Sequence, residues 1–153
     1  MFCGAGGAAV GYHRAGFDVV GVDNRPQPNY PFTFWLGDAL RTIDGIGFDL
    51  GRFDAIHASP PCQAFTSMQS VARNGDAHQD MIAPVRELLE ATGLPYVIEN
   101  VPGSPLFAPF MLCGSSFGLG VRVPEFRELR RHRLFETNWP TGLLPQCQHR
   151  GKS

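Results

Sequence analysis

The chain has 153 residues, 43% of them hydrophobic and 18% charged, and a formal net charge of −1. That length and apolar content support one domain with one core, and no apolar run approaches the ~20 residues of a membrane span. No basic segment precedes an apolar stretch as in a secretory leader, and the four cysteines (Cys3, Cys62, Cys113, Cys147) are too scattered for a disulfide framework, so the expected location is the cytosol.

The chain opens on a glycine-rich loop, Phe2-Cys3-Gly4-Ala5-Gly6-Gly7, feeding a short helix from about Ala8 to Ala15 that Gly16 closes. Such glycines permit close backbone approach, and the helix start presents N–H groups to a nucleotide-like or carboxylate-bearing ligand. The spacing departs from G-x-G-x-x-G, because Ala9 or Val10 stands where a third glycine would be. A strand follows from Phe17 to Val22 and ends in Asp23, where an acid can accept from ribose hydroxyls. Three prolines in 25–31 make a loop, and Phe32 to Leu36 reads as a short strand ending at Gly37-Asp38. Asp38 is placed to accept from an exocyclic amine. Together the loop and the two acids point to an adenosine-type site, although each Asp alone is as readily a turn former.

Gly45, Gly47 and Gly51 punctuate a connection to a strand over Phe53–Ala58, which ends in Ser59-Pro60-Pro61-Cys62-Gln63. Each proline fixes φ near −65° and lacks an N–H, so the turn is stiff. It holds a lone thiol at the carboxyl edge of a sheet, where open α/β folds bind ligands. The polar stretch from Ser67 to Asp80 has no period and reads as a mobile loop. Met81, Val85, Leu88, Leu89 and Thr92 mark one face of a helix stopped by Gly93. The next strand, Tyr96-Val97-Ile98, runs into Glu99-Asn100-Val101. A thiol and a carboxylic acid at neighbouring strand ends suggest covalent catalysis assisted by a proton donor. Singly, Cys62 could be a small buried hydrophobe and Glu99 a strand-end acid; jointly, their spacing favours a catalytic pair.

Pro102 to Pro105 forms another loop, 110–119 is apolar without a clean period, and His132–Thr137 reads as a late strand. Strands alternating with helices predict an α/β fold with a parallel sheet and right-handed crossovers. Charge is divided along the chain. Residues 1–119 carry six Arg against eleven acids (−5), and residues 120–153 carry six Arg and one Lys against three Glu (+4). The basic section is compatible with phosphate contacts and equally with a solvated face. Cys147-x-His149 hints at a metal, with Cys113 and His132 as conceivable further ligands. Without a second closely spaced pair the simpler reading is a solvated tail with free side chains, and no metal ligand is assigned. Cys3, Cys113 and Cys147 are read as structural or incidental.

Phe2-x-Gly4-x-Gly6-Gly7, then Asp23, Gly37-Asp38, Pro60-Pro61-Cys62-Gln63, Glu99-Asn100-Val101 and Arg131-x-Arg133 resemble, in order, the motifs of DNA (cytosine-5-)-methyltransferases. The resemblance runs from Phe2 to about Thr137 and is nearest to the short methyltransferases of phage genomes, whose setting would be the host cytoplasm and restriction-modification. It implies a doubly wound, Rossmann-like, mostly parallel sheet that binds S-adenosyl-L-methionine, here through Phe2, Gly4, Gly6, Gly7, Asp23, Asn24, Asp38 and Pro60. It also implies that Cys62 attacks carbon 6 of a cytosine flipped out of double-stranded DNA while Glu99 bonds or protonates ring nitrogen 3. Arg133 and Arg131 would face the base and the cysteine, Asn100 would hold the Pro-Cys turn, and the loop 67–80 would close over DNA. The implied protein is a monomer.

The sequence departs from that pattern at several points. Leu129 stands where Gln usually precedes the paired arginines, and Ser59-Pro60 resembles the Ser-Pro-Pro-aromatic motif of amino-methyltransferases, with Cys62 in the aromatic slot favouring carbon methylation. Only Met1 precedes the glycine motif, where a buried first strand belongs, and the target-recognition region and last motif have no counterpart. The expected organisation is therefore an incomplete catalytic domain over 1–138 and a tail, 139–153, beginning a missing C-terminal region. Three alternatives stay open: a tRNA cytosine-5 methyltransferase, an inactive fragment binding S-adenosylmethionine or nucleic acid, and a zinc-binding nucleic-acid module around Cys147 and His149.

Overall fold

Gly6 adopts φ 88°, a left-handed conformation open to glycine, and turns the chain into helix α1 (Gly7–Arg14). A Cβ on Gly6 would lie 2.9 Å from Pro31 Cδ, so the glycine also admits the proline-rich segment behind it. The computed structural model describes residues 1–62 and 80–149, so Gln63 and all but Asp80 of the loop read at 67–80 lie outside the described residues. Strands β1 (Val20–Asp23) and β2 (Thr33–Leu36) pair in parallel, Asp23 opposite Leu36. The predicted strand over 17–22 thus starts three residues late. Helix α2 (Ala39–Ile43), which the glycine-punctuated sequence around it concealed, starts where the Asp38 side chain accepts from Arg41 N–H at 3.0 Å.

The second sheet has the order β3-β4-β8-β5. Strands β3 (Ile56–Ala58) and β4 (Tyr96–Asn100) run parallel, joined by helix α3 (Ile82–Thr92), whose first turn is capped by Asp80 accepting from Ile82 N–H at 2.8 Å. Strand β5 spans Phe110–Cys113, and strand β8 (His132–Thr137) lies antiparallel to both β4 and β5. A mostly parallel sheet was expected, and this one is mixed; β8 reverses direction because the hairpin β6 (Gly120–Arg122) and β7 (Phe126–Glu128) returns the chain beside its own β5.

The two sheets meet through Met1–Cys3. The Met1 amine donates to His57 carbonyl at 2.6 Å, Ser59 N–H donates to Met1 carbonyl at 3.3 Å, and Cys3 N–H donates to Val22 carbonyl at 3.1 Å. Three residues therefore stand between β1 and β3, where the sequence was expected to lack a strand.

The core forms where the buried face of α3 (Ile82, Val85, Leu89) packs on Ile56, Ala58, Tyr96 and Ile98. Arg86 joins that buried face, which the periodicity of apolar residues could not reveal. It forms a bidentate pair with Glu136 of β8 at 2.6 and 2.7 Å, donates to Pro105 carbonyl at 2.9 Å, and stacks on Phe107 at 3.8 Å. Glu136 also accepts from Phe107 N–H at 2.7 Å. No helix among the described residues is long and apolar enough to cross a membrane.

Candidate active site

The stiff turn after β3 carries Ser59, Pro60, Pro61 and Cys62 into one wall of a cleft of about 280 Å³. Glu99, Asn100 and Val101, at the end of β4, form the floor, and Arg131 and Arg133 line it from β8 and the residues before it. All five residues read as catalytic (Cys62, Glu99, Asn100, Arg131, Arg133) thus line one cavity, although they are spread over more than seventy positions. The convergence follows from topology. Parallel pairing of β3 with β4 puts both carboxyl ends on one edge, and antiparallel β8 brings its first residues to that same edge.

Within the cleft, Glu99 Oε1 pairs with Arg133 Nε at 2.9 Å, and both side chains remain about one-quarter exposed. Arg133 also donates to the His132 carbonyl at 2.8 Å. Asn100 is buried and spans strand and turn: its amide donates to Pro60 carbonyl at 3.1 Å, and its carbonyl accepts from Val101 N–H at 2.9 Å. Pro60 and Pro61 have no N–H to bond, so Asn100 supplies the tie that the turn lacks.

Behind Glu99 lies a chain of donors that sequence reasoning missed. Ser59 Oγ donates to Glu99 Oε2 at 2.9 Å, His57 Nε2 lies 2.8 Å from Ser59 Oγ, and Tyr12 hydroxyl lies 2.8 Å from His57 Nδ1. Burial, aided by the nearby amino-terminal charge, lowers His57 to a pKa of about 4, so its ring is neutral at pH 7. Since Ser59 spends its proton on Glu99, His57 must donate through Nε2 and accept from Tyr12 at Nδ1, which assigns the tautomer. Every bond in the series therefore points toward the carboxylate. The one sequence signal was His57 inside an otherwise apolar strand; Tyr12, on a helix far upstream, left none.

The profile described as C-5 cytosine-specific DNA methylase matches residues 1–104, from the glycine loop through the end of β4. This chain belongs to that family. Among curated proteins, this chain is 30% identical over 117 residues to the type II methyltransferase M.AgeI of Thalassovita gelatinovora, covering 67% of this chain and 27% of that protein. It is 33% identical over 118 residues to the type II methyltransferase M.XorII of Xanthomonas oryzae pv. oryzae, with the same coverage. The chain thus spans about a quarter of the length of the curated relatives it matches.

The residues read as cofactor-binding, apart from Pro60 in the cleft, gather at the carboxyl ends of β1 and β2 in the other sheet. Asp23, ending β1, accepts from Gly4 N–H at 3.0 Å and from Arg25 N–H at 3.1 Å, so it holds the glycine loop against the strand end. Phe2 (φ 54°) and Gly4 (φ 48°) both take left-handed backbone in that loop, and Gly7 opens α1 with nothing within 4 Å of where a Cβ would stand. Asn24 follows Asp23, and Gly37 N–H donates to Asp23 carbonyl at 2.9 Å, which sets Asp38 beside them. Asp38 caps α2 with one carboxylate oxygen, so its turn-forming role is realised.

Proposed function

We propose that this chain carries the catalytic residues of a DNA cytosine carbon-5 methyltransferase that uses S-adenosyl-L-methionine. The observation that carries the reading is the shared cleft, lined by Cys62 and by the Glu99–Arg133 pair, in a member of the methylase family. The cofactor end supports it too. Asp23 accepts one bond on each oxygen and retains further acceptor capacity for hydroxyls. The amino end of α1 supports it as well: Gly7 opens that helix with nothing within 4 Å of where a Cβ would stand, so a ligand can approach its first turn of N–H groups. Phe2, Gly4, Gly6, Gly7, Asp23, Asn24, Asp38 and Pro60 would hold the cofactor, which supplies an electrophilic methyl group. The sheet is then the doubly wound methyltransferase type, a reading supported by the bonds of Met1–Cys3 to both β1 and β3.

The chain's own residues account for the remaining chemistry. Cytosine carbon 5 is a weak nucleophile until carbon 6 is attacked. The Cys62 thiolate adds to carbon 6, the ring electrons move toward carbon 5 and ring nitrogen 3, and Glu99 meets the developing charge there by hydrogen bonding or proton donation. After methylation, loss of the carbon 5 proton to a base restores the double bond and expels the thiolate. Arg131, beside the Glu99–Arg133 pair, adds a positive charge to the cleft that favours the incoming anionic strand. Asn100 keeps the turn in place, and the target base must leave its duplex to reach the sulfur.

The test is incubation of the chain with S-adenosylmethionine and a duplex containing 5-fluorocytosine, whose fluorine cannot be removed as a proton is. A denaturant-stable protein–DNA adduct is expected, and Cys62→Ser abolishes it. If only a fluorinated tRNA is trapped, the substrate reading falls. If S-adenosylmethionine binds by calorimetry without any adduct on either substrate, the chain is a binding fragment.

A further inference from the structure

Cys113 closes β5 and His132 opens β8, and the antiparallel register sets them directly opposite one another. Facing residues in such a ladder put their side chains on the same side of the sheet, about 4.5–5.5 Å apart at Cβ. The tail then returns to this spot. From Asn138 to His149 every residue is exposed except Cys147, so the tail buries almost nothing that would fix its path. Yet it ends with Cys147 and His149 against Cys113 and His132. The ligand-type atoms of all four lie within 4.8 Å of one another. Cys147 Sγ is 2.9 Å from His149 Nε2 and 3.3 Å from His132 Nε2, and Cys113 Sγ is 3.4 Å from His149 Nε2. The expected picture of a solvated tail with free side chains is therefore corrected: its two soft donors are engaged with two more from the sheet.

We infer that Cys113, His132, Cys147 and His149 form a tetrahedral zinc site that fastens the C-terminal tail to the β5–β8 edge. Zinc–sulfur and zinc–nitrogen bonds of about 2.3 and 2.0–2.1 Å give a tetrahedron whose sulfur–nitrogen edges are about 3.6 Å. The three observed edges, 2.9–3.4 Å, need only lengthen by a few tenths of an ångström to reach that figure, and the Cys2His2 set is of the soft and borderline type that selects zinc over magnesium or calcium. The two imidazole rings stack at 5.1 Å, 25° apart, which turns their ring nitrogens toward the same pair of sulfurs. Ser115 Oγ lies 3.3 Å from Cys113 Sγ and 3.5 Å from Cys147 Sγ, so one hydroxyl serves both sulfurs from outside the quartet. Four protein ligands leave no open coordination position, so the site is structural rather than hydrolytic. It is also separate from the cleft: adjacent strand residues face opposite sides, so His132 points away from the side on which Arg133 meets Glu99.

The experiment is elemental analysis of the chain purified in reducing buffer with zinc present and then gel-filtered, followed by exchange of zinc for cobalt(II). One zinc per chain is expected, and the cobalt form should show intense tetrahedral ligand-field absorption together with thiolate-to-cobalt charge transfer. Cys147→Ser and His149→Ala, both in the exposed tail, should lose the retained metal and the charge-transfer or tetrahedral bands, while circular dichroism shows the sheet still folded. Cys62→Ser should keep its zinc whatever becomes of methyl transfer. The proposal is overturned if the unaltered chain retains no stoichiometric metal, or if the two tail variants retain it fully. A Cys113–Cys147 disulfide found by mass spectrometry in the reducing preparation would overturn it as well.

Discussion

Glu99 is restrained by two partners of different kinds, a cation on Oε1 and a hydroxyl on Oε2. Removing the carboxylate altogether (Glu99→Gln) deletes the group proposed to answer charge on the base, and kcat should fall about 10²–10⁴-fold with Cys62 intact. Removing only the hydroxyl is milder. Ser59→Ala forfeits the hydrogen bond to Glu99, worth about 1 kcal/mol, so kcat should drop roughly fivefold, with Ser59→Thr restoring it and KM for DNA unmoved. Equal losses for Ser59→Ala and Ser59→Thr would show that the serine serves folding instead. At this scale the sequence was legible wherever chemistry and backbone punctuation coincided: Pro-Pro-Cys after a strand, and Glu-Asn at a strand end. It was not legible for Tyr12 and His57, because their roles depend on a helix crossing a strand forty-five positions away.

Strand β8 shows how much one element can be asked to do. Its sixth-from-last to second-from-last residues supply His132 to the sulfur cluster, Arg133 to Glu99 and Glu136 to Arg86. The Arg86–Glu136 pair is almost wholly buried, and Glu136 also accepts from Phe107 N–H. Glu136→Ala should therefore destabilise the fold by about 3–5 kcal/mol in urea unfolding, since it strands a buried guanidinium. Replacing both residues at once by Met and Leu should cost far less than that. The strand's existence was readable from its short apolar-centred run, but its direction was not: an antiparallel return depends on the β6–β7 hairpin, whose short strands carry little periodicity. Likewise α3 was readable from its apolar face, while Arg86 on that face was hidden by its charge.

For the molecule as a whole, two bases are kept neutral by the fold. Burial lowers the Met1 amine to about 6, partly offset by Cys3 and Asp23, and lowers His57 to about 4. Both pKa values lie below their unfolded values of 8.0 and 6.5, so the unfolded chain binds more protons between them. Stability should hold above about pH 8 and decline as pH falls, first through the amine's window and then, between about 6.5 and 4, through that of the histidine, by up to about 3 kcal/mol each. Urea midpoints at a series of pH values check this, and His57→Gln should flatten the lower part alone; a midpoint that rises on acidification would refute it. Strands alternating with helices could place this chain among α/β domains, but that pattern could not reveal the bridging of two sheets by Met1–Cys3, since three residues hold no period.

The alternation of β8 has a bearing on how its relatives should be compared. Odd and even positions serve opposite sides, so a single residue inserted or deleted within 132–137 would turn all residues on one side of it to the wrong face and part His132 and Arg133 from the register of Glu136. Kindred chains can therefore differ there by substitution but not by length, and any gap drawn inside that segment when they are aligned belongs instead in the turns on either side.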